Sequence, residues 1–211
     1  MLELGRLDEV DLRELEVTVV EGNGRTPVDP EMLAALDHAA QLLDQAGARV
    51  RRQAMPEFGR AYAWWSATLS DASETSFRQL LGDGRPLPIG RELLRWAFGR
   101  SVHTLPALAL AAMEDVWPFV PSEARVRELI AEGRAFRARL HEQLGSRGVL
   151  LYPSHPRAAP RHHAPLLRPF DWSYTAIFNV MELPVTQVPM GLARAGVPLG
   201  VQVVAGDGRD H

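Results

Sequence analysis

The side chains of this chain that could attack a carbonyl or move a proton near pH 7 are its serines, histidines and carboxylates. Nine serines and seven histidines are present, with no cysteine and no lysine, so the 23 lysine-plus-arginine positions are all arginine. Arginine keeps its proton up to a pKa above about 12 and cannot serve as a relay base. The absence of cysteine removes disulfides, thiolate zinc sites and thiol nucleophiles together. A Ser-His-Asp set is arithmetically available, but no Gly-x-Ser-x-Gly elbow supports one. Ser154-His155 and His162-His163 share a single loop, which makes Ser154 the nearest approach to a candidate nucleophile. His155, His162 and His163, with Asp171 close by, also carry metal-ligand atoms. Adjacent histidines in an extended loop point opposite ways, however, and no His-x-x-x-His on a helix backs them. The residues therefore predict no catalytic group, no metal and no other cofactor in this chain.

The elements that must position any site follow from punctuation and periodicity. Leu15–Val20 is β-branched and stops at a Gly-Asn-Gly turn, the mark of a strand. Asp29-Pro30 starts a helix, its stripe being Leu33, Leu36, Ala40 and Leu43, and Gly47 ends it. Ala48–Ala54 completes a strand–helix–strand unit. Phe58–Leu81 reads as helix, and Gly82–Pro88 breaks the chain. Residues 89–120 read as two helices divided by Gly99 and Pro106. Ser122 opens a long helix whose stripe is Val126, Leu129, Gly133, Phe136, Leu140 and Leu144. Gly148–Tyr152 has the apolar character of a buried strand. The proline-rich segment Pro153–Pro169 is irregular, and irregular loops of that length tend to be functional. Asp171–Val180 returns to helix, and Val185–Val188 and Val197–Val204 read as closing strands. The fold class expected is α/β, one body with a helical insertion at about residues 58–145.

Within Trp172–Val204 three motifs run in order. Tyr174-Thr175-x-x-Phe178-Asn179 comes first, Pro184-x-x-x-x-Pro189-x-Gly191 second, and Gly196-x-Pro198-x-Gly200-x-Gln202 third. In this the chain resembles the C-terminal core of the amidase-signature family, and it is most similar to the fatty-acid-amide-hydrolase-like branch. The resemblance implies a mixed sheet flanked by helices, and hydrolysis of an amide bond by a Ser-Ser-Lys triad. Its serines sit in a Gly/Ser-rich segment for which this chain has no counterpart. No residue here matches the nucleophilic serine, the bridging serine or the lysine. The expectation is a partial domain that walls the substrate pocket and is inactive alone, its N-terminal catalytic portion and last helix being absent. The alternatives are a non-catalytic binding module, a truncated gene product and, within the family, an amidotransferase subunit.

By position, the resemblance assigns the substrate channel to Trp172 and Ala176, with Tyr152, Pro153 and Ser154 beside them. Tyr174 and Phe178 are expected in the core, and Trp172 is open to either role. Asn179 and Gln202, with the prolines and glycines of the motifs, are expected to hold backbone, since a buried amide must find partners. The substrate implied is a small-molecule amide with an acyl substituent, and the partner implied is the missing N-terminal portion of the same fold. In that branch a helical pair near residues 89–120 touches membranes. Arg91, Arg95 and Arg100 beside Leu93, Leu94, Trp96 and Phe98 suit an interface, although composition favours a helix pair packed on its own sheet. The net charge of -3 gives no reason for bulk attraction to nucleic acid. The N-terminus lacks the pattern of a signal peptide, and a cytoplasmic location is the default expectation.

Overall fold

The computed structural model describes residues 10–72, 75–116, 122–162, 164–168 and 170–209. The chain forms two compact units, Met1–Ser66 with Leu129–His211, and Ala67–Glu128.

The first unit is built on a five-stranded mixed sheet. Strands β1 (Glu16–Val19), β2 (Arg49–Arg52), β3 (Gly148–Pro153), β4 (Val185–Leu192) and β5 (Pro198–Ala205) lie in the order β2-β1-β3-β5-β4. β1 is parallel to both β2 and β3, whereas β5 runs antiparallel to β3 and β4. The parallel pair requires a crossover, which helix α1 (Pro30–Gln45) supplies. Asp29 stands at the helix start as the sequence predicts, yet its carboxylate makes no capping bond to the helix. It accepts instead from the Arg157 guanidinium at 3.3 Å, and the Asp29 amide donates to the Pro156 carbonyl at 2.7 Å. The far end closes at Gly47, whose φ of +95° is open to glycine at little cost.

Because side chains alternate along a strand, the sheet presents two different faces. One carries Val17, Val19, Leu151 and Val201, packed on Met32, Ala35, Leu36 and Ala40 of α1. The other carries Leu150, Tyr152, Gln202 and Val204, all buried. Tyr152 there meets the aromatic rings of Phe58, Tyr174 and Phe178. Phe58 belongs to a short 3-10 turn, Pro56–Arg60, and Tyr174 and Phe178 to helix α7 (Ser173–Met181). Phe178 and Tyr174 are thus core residues, as expected.

Two long helices, α2 (Ala61–Ala72) and α6 (Glu123–Leu144), each begin or end in the second unit. The predicted stripe of α6 is buried at Leu129, Gly133, Phe136, Leu140 and Leu144. Gly133 faces Trp64, and a Cβ at that position would lie 3.4 Å from the indole.

The second unit is helical. The predicted single helix over Phe58–Leu81 is in fact the 3-10 turn, α2 and a short α3 (Phe77–Leu81). Ser76 explains the separate start: its hydroxyl accepts from the Gln79 amide while Gln79 Oε1 accepts from the Ser76 amide, a complete capping box. Residues 89–116 form α4 (Ile89–Ala97) and α5 (Leu105–Val116). Gly99, with φ +66°, does end the first of these. Pro106 does not divide a helix. It sits in the first turn of α5, where a missing N–H is harmless. Leu94, Phe98 and Val102 are exposed, at 66%, 76% and 87%, whereas Leu108 and Ala111 are buried. Residues 117–120, the end of the stretch expected to form the helical pair, lie outside the described residues.

Candidate functional site

The five residues expected to wall a pocket fall into three environments. Tyr152, at the end of β3, is wholly buried. Its ring stacks on Tyr174 with centroids 5.1 Å apart and meets the edges of Phe58 and Phe178 at 5.2 and 5.5 Å. Its hydroxyl has no hydrogen-bond partner among the described residues. Burial, together with the neighbouring Tyr174 phenol, pushes the Tyr152 phenol well above its usual range. Ala176 packs in the same buried layer of α7, and Pro153 is buried on the α1 face of the sheet.

Tyr174 has the polar contacts that Tyr152 lacks. Its hydroxyl donates to the Thr26 carbonyl at 2.8 Å and lies 3.4 Å from the Asn23 amide. This ties α7 to the loop after β1. Gly22 leaves the space, since a Cβ there would come within 3.1 Å of the Tyr174 hydroxyl. Burial raises the Tyr174 phenol above its usual value, partly offset by the bond with Asn23.

Trp172 occupies the second environment, an aromatic surface patch. It is 38% exposed, with its ring against Trp65 at 4.7 Å and Tyr62 at 6.0 Å. Phe170, itself 46% exposed, meets Tyr62 at 5.1 Å. Sequence reasoning singled out Trp172 but not its partners, which come from an element more than a hundred positions earlier in the chain.

Ser154 occupies the third, a hollow of about 360 Å³ formed by the loop after β3 and the β4–β5 hairpin. Apolar walls come from Met32, Pro160, Pro189 and Leu199, and polar groups from Ser154, His155, Arg157 and Gln187. The Ser154 hydroxyl donates to the Gly200 carbonyl at 3.4 Å and receives the Gln187 side-chain N–H at 3.3 Å. No basic group accepts its proton among the described residues. His155 Nδ1 lies 3.0 Å from the Arg157 carbonyl and 3.2 Å from its amide. Arg157 in turn bridges two carboxylates, Asp171 at 3.0 Å and Asp29 at 3.3 Å, which pins the loop to the starts of α7 and α1. This clamp brings in Asp29 from 128 positions away, and no local signal announces it.

A second hollow, of about 460 Å³, opens at the carboxyl ends of β1 and β2. Arg52 at its rim is already held by Asp37 and Glu21, at 2.8 and 2.7 Å, and these bonds raise its pKa.

His155 belongs to the hollow and His162 is exposed, while His163 lies outside the described residues. Asp171 is committed to Arg157, and no group of three or more metal-ligating side chains exists among the described residues. Asn179, expected to be buried with its amide satisfied, is exposed on α7. Gln202 is buried, yet its Oε1 has no partner among the described residues. No helix among the described residues is long and apolar enough to cross a membrane.

The family model described as Amidase matches residues 6–211. Fatty-acid amide hydrolase 2-A of Danio rerio is 36% identical over 99% of this chain, and fatty-acid amide hydrolase 2 of Homo sapiens is 36% identical over 96%. The chain spans about 40% of the length of each. Among solved structures, 6-aminohexanoate cyclic dimer hydrolase superposes with a TM-score of 0.64 over 93% of this chain and 42% of its own. Its 22% identity makes that a likeness of fold.

Proposed function

The chain belongs to the amidase family, and we propose that it is the C-terminal, pocket-forming portion of an amide hydrolase whose bond-breaking groups lie outside these 211 residues. The observation that carries this reading is a mismatch. Identity of 36% to fatty-acid amide hydrolases runs along nearly the whole chain while spanning only 40% of their length. The chain meanwhile contains neither a lysine nor a Ser-Ser pair. Amide hydrolysis needs a nucleophile, a group to take its proton and donors around the developing oxyanion. The serine nearest to such a role, Ser154, spends its proton on a backbone carbonyl.

On this reading the wall comprises Trp172, Ala176, Tyr152, Pro153 and Ser154. Trp172 and Ser154 offer surface, and the buried Tyr152, Pro153 and Ala176 fix the backbone that carries them. The substrate is a small amide with an apolar substituent, for which the aromatic patch around Trp172 supplies contact area. Hydrolysis of a chromogenic acyl anilide tests the proposal. The chain alone gives no turnover above buffer, and adding a separately expressed N-terminal amidase portion restores it. Turnover by the chain alone rejects the reading.

A further inference from the structure

One guanidinium joins three segments of the chain. Arg157, in the loop after β3, donates Nε to Asp171 at 3.0 Å and Nη1 to Asp29 at 3.3 Å. Asp29 stands at the start of α1 and Asp171 just before the start of α7. An aspartate at a helix start ordinarily accepts from the first amides of its own helix, which stabilises that helix locally. Neither does so here. Asp29 occupies the capping position of α1 and makes no cap bond, and α7 begins at Trp172 without a side-chain cap. Asp171 is only 8% exposed, and a carboxylate so buried needs a charged partner. Local helix stability is given up at two places in favour of one cross-link between distant segments.

The planar fork of arginine suits that task, because its donors point along several directions and reach two acceptors at once. The loop it holds has few other ties. Residues 154–162 contain no helix or strand. Among the described residues, their remaining bonds to other segments are the Asp29 amide on the Pro156 carbonyl, at 2.7 Å, and the two long contacts of Ser154. A segment with so few bonds opens locally at low cost. At the other end of the clamp, Asp171 is followed directly by Trp172, whose ring meets Trp65 at 4.7 Å and Tyr62 at 6.0 Å. The clamp thus links the segments that carry Ser154 and Trp172, the two wall residues that offer surface.

We propose that Arg157 is a positioning residue: its bridge between Asp29 and Asp171 couples the loop 154–162 to the start of α7 and sets where Trp172 stands relative to Ser154. The consequence for substrate rests on the function proposed above, whereas the coupling belongs to this chain and is measured on it alone. The test is two-dimensional NMR of the full chain, of Arg157→Met, which keeps the stem without the guanidinium, of Asp29→Ala, and of the double variant. Exchange of the Asp29 amide reports the loop, and the Trp172 indole N–H reports the start of α7. Arg157→Met is expected to speed that exchange at least about tenfold, the ratio that losing one charge-assisted hydrogen bond gives. It should also shift the Trp172 indole, while the buried Trp64 indole and the amides of β3 and β5 stay as they were. Asp29→Ala should shift the Trp172 indole in the wild-type chain and leave it still in the Arg157→Met background, because the effect passes through Arg157. In the reconstituted enzyme Arg157→Met should raise KM for the acyl anilide about tenfold with kcat unchanged. A wild-type reconstitution without turnover would fail the function, and the spectra would still decide the coupling. Unchanged exchange at Asp29 in Arg157→Met, or a Trp172 indole that ignores both substitutions, overturns the proposal. So does loss of protection across β3 and β5, which would make Arg157 a support of the whole fold.

Discussion

The two faces of the central sheet are packed by different chemistry. Against α1, Val17, Val19, Leu151 and Val201 meet Leu36, Ala35 and Met32, all aliphatic or thioether and none with a hydrogen-bonding side-chain group to satisfy. On the opposite face Phe58, Tyr152, Tyr174 and Phe178 meet as edge-on and stacked rings, and two of the four carry hydroxyls. Aliphatic packing sets volume and little else. Rings with hydroxyls also set orientation, because each ring has preferred contacts and each buried hydroxyl needs a partner. The residues expected near a pocket, Tyr152, Ala176 and Trp172, belong to or adjoin the aromatic layer.

The strongest test of this contrast is Phe58→Ala. Phe58 touches Phe136, Tyr152 and Phe178, so its loss should lower stability by about 3–5 kcal/mol, measured by urea denaturation. Leu36→Ala on the aliphatic face should fall within the lower part of a range of about 2–5 kcal/mol. A smaller loss at Phe58 than at Leu36 would mean that the aromatic layer is filler.

The two stacked tyrosines sharpen the comparison further, because their hydroxyls differ in partners. Tyr174→Phe removes the bond to Thr26 and leaves a part-buried carbonyl unmet, a loss of about 1–3 kcal/mol. Tyr152→Phe removes a buried hydroxyl that has no partner among the described residues. It should be neutral or slightly stabilising. Equal losses in the two variants would show that Tyr152 has a partner after all.

The same pair predicts the alkaline limit of the fold. Both phenols have folded-state pKa values raised above the unfolded value of about 10, chiefly by burial. Between the unfolded and folded values the native state holds more protons, so stability falls as pH rises through that window and is fully present below it. Denaturation midpoints should therefore hold up to about pH 10 and drop above it. The phenolate absorbance of these two residues should appear together with loss of structure. Free titration of both in the folded chain would contradict their burial.

Much of this architecture is legible in the residues themselves. β1, α1, the stripe of α6 and the strand before Pro153 all follow from periodicity and from Gly and Pro punctuation. Other features are not. The run Val185–Val188 continues to Leu192, because β4 is an edge strand and an edge tolerates Pro189 along with the irregularity that follows it. Ser76 splits a helix that composition alone would continue. At the candidate site, Trp172 and Ser154 could be named from family resemblance. Their surroundings could not, since Tyr62, Trp65, Gln187 and the Asp29 carboxylate that Arg157 holds arrive from distant segments. Periodicity encodes which way a side chain faces, and only the assembled fold determines what it meets.

The smallest expected effect bears most directly on the division between wall and machinery. Ser154 makes two long bonds, at 3.3 and 3.4 Å, to groups at the rim of an open hollow. Ser154→Ala should thus change stability by no more than about 0.5 kcal/mol, the usual range for positions away from the core. Its hydroxyl faces a carbonyl and an amide rather than a base, so it is not activated toward electrophiles. A fluorophosphonate probe, which labels activated serines, should leave the wild-type chain unmodified, and Ser154→Ala should be indistinguishable from it. In a reconstituted enzyme the same substitution should leave kcat unchanged, because a wall residue touches binding and not the bond being broken. Trp172→Ala, by contrast, should raise KM for acyl anilides without lowering kcat in proportion. Labelling of Ser154, or loss of kcat on its replacement, would put the nucleophile inside this chain and remove the distinction between the half that shapes and the half that cuts.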